Sequence, residues 1–118
     1  MTSDSGQNNK PSLTTHILNI QTGQPAAGVT VNVYKPDDPT AIASGVTDDD
    51  GRVTAWNCIF ALDKSEYVIE FLVGEWFEKR GETTLYPKIQ IEFSVADDRH
   101  YHIPLLLSAF GYSTYRGS

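Results

Sequence analysis

Three histidines, one arginine and the end of the chain carry the groups in this sequence with the most chemistry to offer. His100 and His102 stand two apart in RHYHIPLLLS. On an extended strand that spacing puts both imidazoles on one side. Paired imidazoles invite zinc, with His16 as a third ligand. No cysteine is available beside them, and the nearby Asp97 and Asp98 sit in a turn whose composition turn formation explains, so no metal is expected. Arg52 follows TDDDG at the start of a strand, where its simplest role is a surface cation balancing acidic neighbours. Asp48, Asp49 and Asp50 lack the D-x-D-x-D-G spacing and the distal glutamate of a calcium loop, and read as a turn. The chain closes on GYSTYRGS. Two tyrosines, an arginine and a terminal serine with its own carboxylate are more than a fraying end carries, so this segment is expected to have an assigned place. No G-x-S-x-G elbow, P-loop or dinucleotide fingerprint occurs, which removes sequence support for common hydrolase, kinase and dehydrogenase readings.

The elements that must position these groups are strands. Val29, Val31 and Val33 alternate with Thr30, Asn32 and Tyr34. Tyr67, Ile69 and Phe71 lie opposite Val68 and Glu70, and Ile89, Ile91, Phe93 and Val95 alternate with polar residues. A period of two marks half-buried strands. TGQPAAG, KPDDP, TDDDG, ALDKS and VADD punctuate them. Short connections favour antiparallel pairing, and seven or eight strands predict a two-sheet antiparallel sandwich. GEWFEKRG alone brings Trp76, Phe77 and Arg80 together at helical spacing, which predicts one or two turns of helix.

Parity along the last long strand gives Tyr101, Ile103, Leu105 and Leu107 to the core. His100, His102, Pro104, Leu106 and Ser108 then face outward. An outer face that mixes Leu106 and Pro104 with histidines needs a cover, and the economical cover is another copy of the chain. Pro104 has no N–H, which predicts an edge position or a bulge.

The 118 residues are 40% hydrophobic and 20% charged, as in a globular domain. Residues 1–11 form a polar tail expected to be disordered. Nine Lys and Arg are scattered among fifteen Asp and Glu, a net charge of −6, which argues against nucleic acid as a partner. MTSDSGQNNKPS has neither the basic n-region nor the apolar h-region of a secretory signal, and no run approaches membrane-spanning length. A cytoplasmic protein with no membrane partner is expected. The single cysteine, Cys58, cannot form an internal disulfide and is expected to be a small buried apolar side chain.

LTTHILNIQTGQPAAGVTV, DDDGR and HYHIPLLLSAFGYSTYRGS together resemble 5-hydroxyisourate hydrolases of the transthyretin-like family. The resemblance covers about residues 12–118, and YRGS is its most specific motif. It implies an eight-stranded transthyretin-like sandwich over 12–118 with one short helix, assembled as a homotetramer with active sites in clefts between dimers. The implied reaction converts 5-hydroxyisourate to 2-oxo-4-hydroxy-4-carboxy-5-ureidoimidazoline without a cofactor. Residue by residue, the family's essential positions fall on His16 of TTHIL, Arg52 of DGR, His102 of YHIP and Ser118 of YRGS, with Tyr115 lining the substrate pocket. Asn19 stands where the family often has Asp, and Ala109-Phe110 where Pro-Tyr is common; neither touches those positions.

With that substrate, each residue has a chemical reason. Water is a poor nucleophile near neutrality, and His102 or His16 is the natural base to take its proton. The planar Arg52 guanidinium suits the developing negative charge. Ser118 can fix an imidazole tautomer or help hold the water, and Tyr115 can pack on the flat ring. Direct attack by water is favoured over a covalent serine route, since a terminal serine is hard to hold in line. The alternative reading is a transthyretin-type carrier that binds an aromatic ligand without chemistry and has no need of the His, Arg and Ser set. A structural adhesion module is expected to carry an export signal, and none is seen.

Overall fold

The computed structural model describes residues 12–117; the expected disordered tail and Ser118 lie outside the described residues. Two sheets face each other. The first takes the order β2 (Gln24–Pro25), β1 (Leu13–Asn19), β8 (Tyr101–Ser108), β9 (Gly111–Thr114), with the short β5 (Arg52–Val53) also paired to β1. The second takes the order β4 (Ala43–Val46), β3 (Thr30–Tyr34), β6 (Glu66–Phe71), β7 (Ile89–Ser94). Alternation drives the packing. The inward residues Leu13, Ile17, Val31, Val33, Ile69, Phe71, Leu105 and Leu107 are wholly buried between the sheets, each stabilising by about 2 kcal/mol. A single helix among the described residues, α1 (Val73–Lys79), follows β6. It buries Trp76 and Phe77 as its spacing predicts, while Arg80 stacks over the Trp76 ring at 4.5 Å. No helix among the described residues is long and apolar enough to cross a membrane.

Four details differ from expectation. β1 and β8 run parallel, from Leu13 beside Tyr101 to Asn19 beside Leu107; the expectation from short connections holds for neighbouring strands, and this pair is joined by most of the chain. Pro104 is not on an edge strand, because β8 lies between β1 and β9. It falls where the β8–β9 ladder is interrupted. Pairing stops at Leu105–Thr114 and resumes at His102–Gly117, so two register positions are left out, the proline's own opposite Tyr115 and Ile103 opposite Arg116. Glu70, assigned by parity to a wet face, is buried, because Asn32, Tyr34 and Gln90 close around its carboxylate. Cys58 is exposed rather than buried; its loop lies outside the sheets, and its thiol donates to the Ile42 carbonyl at 3.3 Å.

Candidate active site

Register brings three of the sequence-predicted residues, His16, Arg52 and His102, together on the outer face of the first sheet. On β1 the burial alternates from Leu13 to Asn19, so Thr14, His16 and Leu18 point outward. On β8 the half-buried His102 and Leu106 point the same way, while Pro104, at the same parity and expected to be exposed, is buried. Thr14 pairs with His102 and His16 with Pro104 across one side of β1, and His16 pairs with Arg52 across the other. Arg52, His16 and His102 therefore occupy three adjacent strands. Neighbouring strands lie about 4.8 Å apart and two residues span about 6.6 Å, so the two histidine backbones are about 8 Å apart. Longer side chains close the rest.

Arg52 is placed by the aspartate turn. The Asp48 carboxylate accepts the backbone N–H groups of Asp50 (2.9 Å) and Arg52 (3.0 Å), and Gly51 takes the left-handed φ of 76° that the reversal needs. The Gly51 carbonyl then accepts from Ile17 N–H at 2.7 Å, hooking the turn onto β1 beside His16. The aspartates are thus a turn, and its product is the address of an exposed guanidinium. Among the described residues no three His, Cys, Asp or Glu side chains gather as a metal site requires.

His102 is half-buried, and its Nδ1 lies 2.8 Å from the Thr14 hydroxyl. The same hydroxyl lies 2.8 Å from Nε2 of the exposed His100. One hydroxyl has one proton to give, and because it meets Nδ1 of one ring and Nε2 of the other, accepting from one and donating to the other gives both rings the same tautomer. Burial holds the His102 pKa below its ordinary value of 6.5, and the Arg52 guanidinium, His100 and His16 push it the same way. His102 is therefore a neutral imidazole at pH 7.

The end of the chain reaches this face. Gly117 N–H donates to the His102 carbonyl at 2.8 Å. Tyr115, two residues earlier, is 56% exposed and lines a cleft of about 220 Å³ between β7 and β8 with Ile91, Phe93, Tyr101 and Ile103, the last two on the core side of β8, so this cleft is not continuous with the row of Arg52, His16 and His102. Ser118 lies outside the described residues. A second groove, about 570 Å³, crosses the outer face of the other sheet past Tyr34, Glu70 and Lys88 and contains none of the residues picked out from sequence. Sequence reasoning missed Thr14 and Gly117. Parity with His16 was the available signal for Thr14, since LTTHI places both on one face.

Fold and site together define a two-sheet sandwich with a neutral imidazole, a second imidazole and a guanidinium on one outer face. The family model described as HIUase/Transthyretin matches residues 13–117, and the chain belongs to that family. It is 42% identical to a probable 5-hydroxyisourate hydrolase of Schizosaccharomyces pombe over the whole of both chains. Among solved structures it is similar to 5-hydroxyisourate hydrolase of Klebsiella pneumoniae, with 38% identity and a TM-score of 0.80, covering 90% of this chain and 92% of that one. Sea bream transthyretin in complex with thyroxine shares the fold at 28% identity and a TM-score of 0.79, covering 90% of this chain and 94% of that one.

Proposed function

We propose that the chain hydrolyses 5-hydroxyisourate, adding water at a ring amide carbonyl and opening the six-membered ring. The observation that carries this is the row of Arg52, His16 and His102 on three adjacent strands, in a chain whose relatives are hydrolases by name. His102, neutral at pH 7, is the base. It takes a proton from water as the water oxygen bonds to the carbonyl carbon, and the carbonyl π pair moves onto its oxygen. The Arg52 guanidinium offers paired donors to that oxyanion. The carbon–nitrogen bond then breaks, His102 returns the proton to the departing nitrogen, and a ring-opened carboxylate leaves. His16, beside Arg52, holds the flat substrate, Tyr115 packs on it, and the Ser118 hydroxyl helps hold the water.

For His102 to face outward as base through Nε2, its Nδ1–H must donate to Thr14, whose hydroxyl proton is then free to go to His100 Nε2. The half-buried Leu18 and Leu106 beside the histidines support a cover by other copies of the chain, the assembly being taken as a homotetramer and its compartment as the cytoplasm. The test is ultraviolet absorbance. Urate oxidase generates 5-hydroxyisourate in the cuvette, and this protein is expected to speed its decay beyond the spontaneous rate. An unchanged decay overturns the reading and returns the fold to ligand carriage.

A further inference from the structure

The tail and the His102 ring approach each other more closely than strand pairing demands. A Cβ built on Gly117 would lie 2.5 Å from His102 Cδ2, and 3.3 Å from both His102 Cγ and Pro104 Cγ. Only a residue without a side chain fits there, and the reason is proximity to an imidazole. Two groups bound the ring: the Thr14 hydroxyl at Nδ1 and the bare backbone of Gly117 on the Cδ2 side. The tail has its own anchor one residue earlier. Arg116 Cζ stands 4.1 Å over the Tyr101 ring, and its Nη2 reaches the His100 carbonyl at 3.4 Å. Tyr101 is buried, its hydroxyl accepting from Ala96 N–H at 3.0 Å and donating to the Asp97 carboxylate at 3.2 Å, so the platform under the guanidinium belongs to the core.

We propose that Gly117 is a positioning residue for His102: its backbone closes against the imidazole and holds the one rotamer that keeps Nδ1 on Thr14, while Arg116 on Tyr101 keeps the glycine in place. A histidine side chain otherwise has three χ1 wells, and a base that samples them spends only part of its time aligned. Misplacement by about 1 Å costs up to about a hundredfold in rate. The proposal rests on the hydrolase reading for its consequence, though not for its geometry.

The experiment uses the full chain with Gly117→Ala, Arg116→Ala and Arg116→Lys. Long-range proton–nitrogen NMR of the His102 ring, recorded without substrate, reads tautomer and averaging directly. Wild type is expected to show one tautomer. Gly117→Ala is expected to average the His102 ring signals while the core amides stay in place, and to lower kcat at least about tenfold with a smaller change in KM. Arg116→Ala is expected to do the same more weakly, with Arg116→Lys restoring the ring signals because a cation again covers Tyr101; this pair carries the test if Gly117→Ala does not fold. A wild-type His102 spectrum in both Gly117→Ala and Arg116→Ala overturns the proposal even if activity falls, because the tail has then moved without the ring. Absence of hydrolysis by wild type removes the hydrolase reading, and the ring spectra of the variants still decide whether the clamp exists.

Discussion

His102 carries the pH dependence of the site, and its sign follows from its surroundings. Burial and the neighbouring Arg52 depress its pKa, so the folded state sheds this proton more readily than the unfolded chain does. Stability linked to this residue is complete above the ordinary value of 6.5 and declines as pH falls from there through the lower folded value. The acid limb of kcat/KM is expected below pH 6.5, not at it. Arg52→Gln removes a positive neighbour and so raises the His102 pKa, which NMR titration reads directly. The same change removes the proposed oxyanion donor and is expected to cost about a hundredfold or more in kcat. At this scale parity gave the outward direction of His102, whereas His16 and Arg52 entered the candidate site through the family resemblance, Arg52 by itself reading as a surface cation. Thr14 and Gly117 did not stand out. A threonine in a strand and a glycine near an end are ordinary there, and both acquire meaning only through pairing with a residue far away in sequence, Thr14 with His102 across 88 positions.

Among the elements, the second sheet holds a buried charge that alternation concealed. Glu70 on β6 accepts from Asn32 (3.1 Å) and Tyr34 (3.1 Å) on β3 and from Gln90 (2.9 Å) on β7, with Lys88 at 3.6 Å. Burial opposes its ionisation, but the hydrogen bonds from Asn32, Gln90 and Tyr34 and the charge of Lys88 outweigh it, and its pKa sits below 4.5. This carboxylate therefore contributes stability that is present above pH 4.5 and lost as pH falls through its lower folded value. Glu70→Ala leaves three donors without their acceptor and is expected to cost about 2 kcal/mol in chemical denaturation. Glu70→Gln is expected to flatten the acid side of the stability profile. The strand periods, the aspartate turn and the short helix could all be read from sequence because each depends on nearby residues. The burial of Glu70 could not, because a polar residue at an outward position looks the same whether it meets water or three partners on adjacent strands.

One chain leaves His16 and His102 half-exposed on a broad outer face beside Leu18 and Leu106. Under the proposed homotetramer this face is covered and activity depends on assembly. Specific activity is expected to fall on dilution into the range where light scattering shows dissociation, and activity that stays constant across dissociation places the whole site within one protomer. The parallel seam between β1 and β8 sets a further condition. His16 is made early, but its neighbouring strand begins at Tyr101, so the ribosome must deliver nearly all of the polypeptide before this surface exists. Translation products that stop before His102 would hold Arg52 and His16 without their partner on β8 and are expected to be inert, and contacts between such distant segments make their closure a late event in folding.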